Sequence, residues 1–573
     1  MSTDILDCII VGYNDIDTQM MLDTVKSTDD VSGAIRTILR NTVELRGKRM
    51  NYASLLNMAL RETLNKDPDL NVMRIPNLAV CYLKSFLAKR GFNVEHVNFF
   101  SKEKERMAAL LRNGGHAVAV TTTFYVSADP IIEIVQFIRE HNPNIPIIVG
   151  GPHIFNICND LDVATQDYLL SSIGADIYVH DGQGEDTLSK LLHELCNIGP
   201  ENVDSIPNLI YPAGLKERLL GKSANALNPP GSGSASTSYI RTRREKENND
   251  MDVNLIDWGY FSKDFFTPTV QMRTARSCAF KCAFCSYPVM AGPLNLISVD
   301  VIEREMMKLR SNSVRYLVFI DDTFNVPLTR FKQMLRMMIR NKFDFKWFSY
   351  FRCSNSDDEA FELMAESGCA GVFLGIESGD QDILVKMNKA AAVPKYEYGI
   401  KKMNEYGITS FASFIIGFPG ETRGSVQNTI NFIERCRPTF YRAELYYHRT
   451  NLPIHQKADQ YGLRGGGYSW QHNTMDWREA CDLIDYMYTT IKESIILPQA
   501  TFDFWSIPYL LGMGVSMEQI IEFTRISQKL LLSPLCGGQP ATQNGNNEEA
   551  VFQELVALCS KIAPNLHERV LLG

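Results

Sequence analysis

A chain of 573 residues exceeds what one hydrophobic core organises, so three or four domains are expected. Its 45% apolar and 22% charged residues exclude wholesale disorder, and no run approaches the roughly 18–20 apolar residues of a membrane span. With 66 acidic against 58 basic residues, net −8, broad non-specific nucleic-acid binding is not expected either. The opening MSTDILDC has neither a basic n-region nor a long apolar h-region, so no secretory signal is expected. Thirteen cysteines then read as buried thiols or metal ligands of a cytoplasmic protein rather than as disulfides.

Over residues 1–212, short β-branched runs alternate with amphipathic helices. Strands are expected at Cys8–Val11, Val94–Phe99, Ala117–Thr121, Pro146–Val149 and Asp176–His180, with a helix at Pro76–Arg90. That alternation predicts βαβ units and a parallel, doubly wound, Rossmann-like sheet. Ligands bind such sheets at the carboxyl ends of the strands. Small or turn residues sit there: Gly12, Thr121, Thr122 and Thr123, Gly150 and Gly151, Gly182 and Gly184. About fifty residues, near 17–66, read as a helical insertion after the first strand.

Residues 213–262 read as a linker, because Asn228–Ser236 is NPPGSGSAS and Arg241–Asp250 is RTRREKENND. A second alternation fills 263–460. Its strands are expected at Thr269–Ala275, Tyr316–Ile320, Lys346–Phe351, Gly371–Ile376, Ser410–Ile416 and Arg442–Tyr447. Helices Val299–Arg310, Leu328–Asn341 and Asp357–Ser367 separate them, and their methionines, like Cys353, are expected in the core. Six successive βα units suggest a partial TIM-type barrel whose chemistry gathers at the C-terminal strand ends. Residues 461–573 read as mainly helical, with Gly537–Glu549 a flexible loop.

The strongest signal is Cys278-x3-Cys282-x2-Cys285, directly after the first strand of the second alternation. Three thiolates on one short loop suit a [4Fe–4S] cluster and leave one iron open. A half zinc site on Cys282 and Cys285, or buried structural thiols, are the other readings; no second CxxC exists to complete a zinc site.

This spacing, with the aromatic Phe284 before the last cysteine and the loop after barrel strand one, resembles the radical S-adenosylmethionine (SAM) superfamily. The resemblance implies that the open iron holds SAM, whose reductive cleavage yields a 5′-deoxyadenosyl radical. It extends along the barrel. Asp321 and Asp322 follow strand two, and Arg352 ends strand three. Gly375-Ile-Glu377-Ser378 ends strand four, and Gly417-Phe-Pro-Gly420-Glu421 follows strand five. By resemblance these are SAM-binding positions. The acidic pair departs from the Gly-Gly-Glu form of the family's amino-binding motif. Taken singly, such acids also serve as helix caps.

Ile75-Pro-Asn-Leu-Ala-Val-Cys-Tyr-Leu with Gly91-Phe-Asn-Val-Glu, Ile148-Val-Gly-Gly-Pro-His153, and Asp181-Gly-Gln-Gly-Glu185 resemble the cobalamin-binding domains that precede some radical SAM barrels. The resemblance covers roughly 5–215 and 263–460. It implies cobalamin contacts at Gly12, Thr121, Thr122, Thr123, Gly150, Gly151, His153, Gly182, Gly184 and Glu185. Asp-x-His-x-x-Gly is absent, and His96, His116, His153 and His180 lack its context, so no axial histidine is expected. A nucleotide-binding or purely structural α/β module stays open as the other reading of this domain.

Together the two modules resemble class B radical SAM methyltransferases. The implied reaction uses methylcobalamin to methylate an unactivated carbon, or a phosphinate phosphorus, of a small natural-product intermediate or peptide. A flavodoxin- or ferredoxin-type electron donor is implied; no nucleic acid and no membrane is. A cobalamin-dependent radical SAM cyclase and a non-catalytic sensor stay open. Tyr447 and His448, with Trp470 and His472 in a polar–aromatic string, are candidate substrate contacts; a satisfied turn is the alternative for that string. Replacing Cys282 by Ala is expected to abolish iron incorporation and 5′-deoxyadenosine formation; full deoxyadenosine formation in that variant overturns the cluster assignment.

Overall fold

The structure is a computed structural model that describes residues 5–15, 23, 32–220, 238–498, 505–535 and 541–570, with 541–546 as backbone only. The chain divides into two compact units: Met1–Ile16 with Pro76–Phe265, and Asp17–Ile75 with Phe266–Gly573.

In the first unit, β1 (Cys8–Tyr13), β2 (Val94–Phe99), β3 (Val118–Thr121), β4 (Ile147–Gly150) and β5 (Ile177–Val179) are parallel, in the order β2-β1-β3-β4-β5. The order reverses between β1 and β3, which makes their carboxyl ends the crevice of a doubly wound sheet. Both faces are buried, so the strands are continuous apolar runs. Ile9, Val11, Val118 and Val120 pack into one core, while Cys8, Ile10, Ala117 and Ala119 pack into the other. Gly12 belongs to that packing. A Cβ there would sit 2.7 Å from the Asn98 carbonyl oxygen and 2.8 Å from Val80 Cγ2. The residue lets a helix and a strand close on each other.

The linker reading of 213–262 is corrected wherever the structure describes it; Asn228–Ser236 lies outside the described residues. Two antiparallel strands, β6 (Leu209–Pro212) and β7 (Tyr239–Arg241), extend the sheet past β5. The charged tract after β7 runs back to the helix Glu185–His193. Glu247 accepts from the amides of Asp186 (2.9 Å) and Thr187 (2.8 Å), and Asn249 Nδ2 donates to Glu185 (2.9 Å). A carboxylate at a helix N-terminus satisfies orphan amides and meets the positive end of the dipole. Polar composition resembled a linker because the tract's work is done by its polar groups.

In the second unit, β8 (Thr269–Met272), β9 (Tyr316–Phe319), β10 (Lys346–Phe351), β11 (Cys369–Glu377), β12 (Thr409–Ile416) and β13 (Phe440–Leu445) run parallel in sequence order. The six expected strands are present within a few residues. A seventh, β14 (Ile495–Ile496), joins β13. Met306, Met334, Met337, Met338 and Cys353 are core, while Met307 is exposed. The insertion after β1 belongs to this unit. Its helix Gly33–Arg40 presents Arg40 to Asp485 (2.6 Å) and to the Cys481 carbonyl (2.7 Å) on the helix Trp477–Thr490.

The region 461–573 is less purely helical than expected. Arg464–Gly466, Ser469–His472 and Met475–Asp476 form a three-stranded antiparallel sheet. The expected loop 537–549 is helical from Ala541, the start of Ala541–Ile562. Gly and Asn lower helix propensity there, but the helix packs on Tyr52–Leu64 and Met517–Leu532, and packing overrides propensity.

Glu247→Ala removes the cap and leaves two amides unpaired. It is expected to cost about 1–2 kcal/mol, read as a lower midpoint of thermal unfolding with the second unit's circular dichroism unchanged.

Candidate functional site

The three cysteines lie on the loop that leaves β8. Ser277 enters it at φ +75, a left-handed bend uncommon outside glycine. Neighbours fix its backbone. Ala283 N–H donates to the Met387 carbonyl (2.8 Å), Ile454 N–H to the Ala283 carbonyl (3.0 Å), and Asn388 Nδ2 to the Lys281 carbonyl (2.6 Å). All three thiols are free; Cys282 is buried, and Cys278 and Cys285 are half-buried. Burial pushes the Cys285 thiol up to about 11, and the charges of Cys282, Asp322 and Cys278 act in the same direction. The three thiols are thus neighbours on one short loop. Iron binding there must displace thiol protons.

The acidic pair divides its work. Asp321 is buried and faces backward. It accepts from Thr274 N–H (2.6 Å), Ala275 N–H (2.9 Å) and the Thr274 hydroxyl, so it holds the bend that feeds the cysteine loop. Its carboxylate is spent on the protein, which corrects its expected SAM contact to a positioning role. Asp322 is exposed at the barrel mouth yet crowded by protein. Its carboxyl is pushed up to about 7, chiefly by desolvation and also by Asp321, against the pull of Arg273.

Two cations grip the loop's aromatics. The Arg352 guanidinium lies 3.5 Å from the Phe280 ring centroid, and Lys389 Nζ lies 5.3 Å from that of Phe284. Among the described residues, Arg352 Nε is buried with no hydrogen-bond partner, an orphan donor suited to an anion. Glu377, at φ +66, holds Lys389 at 2.8 Å, both buried. Lys389 was missed in the sequence: its contact joins a loop to a strand end twelve residues back, and no periodicity reports such a pair. Ser378 is corrected too. It is fully buried, accepts from Asp380 N–H (3.2 Å) and meets Thr429 Oγ1 (3.4 Å).

After β12, Gly417 (φ +91) accommodates the Trp470 ring: a Cβ would lie 2.3 Å from Trp470 Cη2. Trp470 donates to the Tyr446 carbonyl (2.7 Å) and stacks on His472 at 5.3 Å. His472 engages the Gly417 carbonyl (3.2 Å) and Thr474 Oγ1 (3.0 Å). Trp470 and His472 are therefore buried and engaged in packing, and Gly417 makes room for the Trp470 ring. The Gly420 carbonyl accepts from Lys386 Nζ (2.9 Å). Buried Glu421 accepts from Gly417 N–H (2.5 Å), and burial pushes its carboxyl up to about 8. His448 is buried between Tyr446 OH (3.1 Å) and His455 (3.3 Å), while Tyr447 is half-exposed. Strand parity turns Tyr350, Phe373, Phe411, Arg442 and Glu444 inward, the face that sequence reading left unassigned.

In the first unit the expected residues gather at the carboxyl ends of β1 and β3–β5. Thr122 is corrected: its hydroxyl donates to the Gly150 carbonyl (2.9 Å) and accepts from His153 N–H (3.1 Å). Thr121 and Thr123 pair at 3.1 Å. Gly150 ends β4; Gly151 and Gly184 start helices. Gly182 is exposed, and His153 is half-buried with its imidazolium disfavoured by burial. Two further features mark this edge. Phe124 takes φ +74 and is 46% exposed beside Val126 at 70%, an apolar rim on a strained turn. His180 has its Nε2 buried with no partner among the described residues, and burial lowers it to about 4, so it is neutral.

Comparison with known proteins bears on both units. Residues 272–433 match the radical SAM superfamily, and residues 72–192 match the B12-binding domain. The chain therefore carries a radical SAM domain and, ahead of it, a B12-binding domain. It is 25% identical over 407 residues to an uncharacterized methyltransferase of Pyrococcus horikoshii, covering 69% of this chain and 79% of the relative. It is 23% identical over 397 residues to the anaerobic magnesium-protoporphyrin IX monomethyl ester cyclase of Cereibacter sphaeroides, covering 67% and 60%. It shares the fold of the radical S-adenosylmethionine methyltransferase TsrM from Kitasatospora setae, whose structure holds cobalamin and a [4Fe–4S] cluster. There the TM-score is 0.51 and the identity 19%, over 67% of this chain and 75% of that one.

The cofactors of this radical SAM protein are therefore a [4Fe–4S] cluster, SAM and cobalamin. The residues fit them: thiols outside any disulfide for iron, a carboxyl and a buried guanidinium Nε unpaired among the described residues for a zwitterion, and an exposed apolar rim for a macrocycle. Among the described residues no helix is long and apolar enough to cross a membrane. Asp321→Ala leaves three donors of the Thr274–Ala275 bend unpaired. A cost of about 1–3 kcal/mol per buried unsatisfied group is expected to lower iron retention roughly ten-fold, measured as iron per chain after anaerobic reconstitution.

Proposed function

We propose that this radical SAM protein is a methyltransferase. It moves a methyl group carried by cobalamin onto an unactivated carbon, or a phosphinate phosphorus, of a small natural-product intermediate or peptide. The observation that carries the reading is one chain in which a B12-binding unit accompanies a barrel whose strand ends present three thiols, a carboxyl and an orphan guanidinium. Relatives named as methyltransferases support it. When bound, the cofactors supply a 5′-deoxyadenosyl radical and a transferable methyl group.

The chain's own residues bind and orient. Cys278, Cys282 and Cys285 would hold the iron–sulfur cluster through their thiolates. Asp322 receives the amino group of SAM, and Arg352 Nε with Lys389 receives its carboxylate. Glu377 keeps Lys389 aimed, and Phe284 packs beneath that ammonium. Phe124, Thr121, Thr123, Gly151, His153, His180 and Gly182 form the cobalamin edge. Tyr350, Phe373 and Arg442 form the barrel wall that positions substrate and excludes water. A low-potential donor of the flavodoxin or ferredoxin kind supplies electrons, which places the reaction in a reducing compartment such as the cytoplasm.

The test is anaerobic reconstitution with iron, sulfide, hydroxocobalamin and SAM, followed by reduction in a metabolite extract and mass spectrometry. The expected result is 5′-deoxyadenosine together with a product heavier by one methylene. Deoxyadenosine without that mass gain turns the reading to a cyclase, the activity named for the Cereibacter relative. No deoxyadenosine leaves a sensor. In the same preparation Asp322→Asn is expected to weaken SAM binding about ten-fold, roughly 1.4 kcal/mol, with iron content unchanged.

A further inference from the structure

The amino edge of the first unit's sheet, opposite the cofactor edge, gathers a second set of metal-binding side chains. Asp7 immediately precedes β1. His116 lies two residues before β3. Cys196 lies on a π-helical turn, Glu194–Ile198, that follows the helix Glu185–His193. One ligand atom from each lies within 4.8 Å of the other two, and all three residues are half-buried. Around a tetrahedral ion with bonds of about 2.0–2.3 Å, ligand atoms stand roughly 3.5 Å apart. Small side-chain adjustments reach that spacing.

The backbone holds these groups in place. His116 N–H donates to the Leu6 carbonyl (2.9 Å), and Asp7 N–H donates to the Asn93 carbonyl (2.9 Å). Asp7 Oδ2 accepts from Asn93 N–H (2.8 Å). π-Turns are rare and recur at functional positions. A cysteine–histidine–aspartate nucleophile is the competing use of these residue types. That use needs the imidazole against the sulfur and the carboxylate behind the imidazole. Here burial, with the carboxylate of Asp7 beside it, pushes the Cys196 thiol up to about 12, the opposite of activation.

We propose that Asp7, His116 and Cys196 hold a divalent transition ion of the zinc class, with water in the fourth position. The Cys196 thiol proton leaves to solvent as the ion enters. Thiolate and carboxylate then balance the ion's charge while His116 binds as neutral imidazole. The ion clips together the entry to β1, the entry to β3 and the end of a helix, and so stabilises the cobalamin-binding unit from the edge its cofactor does not use.

The test uses the full chain carrying Cys278→Ala, Cys282→Ala and Cys285→Ala together, so that the cluster loop takes no metal. The protein is equilibrated with Zn²⁺, dialysed and assayed for zinc, and Co²⁺ is substituted to read thiolate ligation by absorption. About one zinc per chain is expected, with a thiolate-to-cobalt band and a thermal midpoint that falls on chelation. In that background Cys196→Ser and His116→Asn are each expected to reduce zinc to background with circular dichroism retained. If either variant misfolds, the cobalt band of the parent decides. Zinc absent from the parent, zinc undiminished in both variants, or cobalt bound without a thiolate band overturns the proposal.

Discussion

One buried carboxylate governs the catalytic end of the barrel. Asp321 gathers the amides of Thr274 and Ala275 and the Thr274 hydroxyl, and so sets where β8 stops and where the cysteine loop begins. Burial alone disfavours the ionised form, and its carboxyl is raised accordingly. Three donors offset part of that cost. The bond network has a geometric result: the next residues bend through a left-handed Ser277 into the loop that carries the three cysteines.

The loop so formed is clamped from outside its own strand. Met387, Asn388 and Ile454 take its backbone groups, while Arg352 and Lys389 lie over the two aromatic rings between the cysteines. Both cations have a second duty. Arg352 Nε is buried without a hydrogen-bond partner among the described residues, and Lys389 is tied to Glu377. Positive charge beside an aromatic ring is desolvated at modest cost because the ring face is electronegative. The same arrangement leaves cationic donors ready for an anion without exposing them to bulk water. A carboxyl crowded at the mouth, Asp322, supplies the complementary sign.

The first unit divides its sheet in a comparable way. At the carboxyl edge lie Phe124, exposed on a left-handed turn, and His180, whose Nε2 is buried with no hydrogen-bond partner among the described residues. At the amino edge lie Asp7, His116 and Cys196. Between the two, the glycines close the fold more than they open it. Gly12 lets Val80 and Asn98 approach β1, as Gly417 in the other unit admits Trp470. A glycine at a strand end is thus as often a packing requirement as a ligand cradle, and only the neighbour's distance tells which.

By itself the sequence determined the parallel strands of both units and the cysteine trio. Each is a local signal: apolar runs of strand length separated by helical periods, and three soft ligands within eight residues. It did not determine which acid of the Asp321–Asp322 pair faces inward. A one-residue difference reverses a side chain on a strand end, and the bend at Thr274 decides the parity. Nor did it show that Lys389 meets Glu377, that Glu247 caps a helix sixty residues upstream, or that the insertion after β1 belongs to the second unit. These are contacts between segments whose order in the chain carries no record of their distance. Only tertiary packing decided them, because a polar group is buried only where another segment brings its partner.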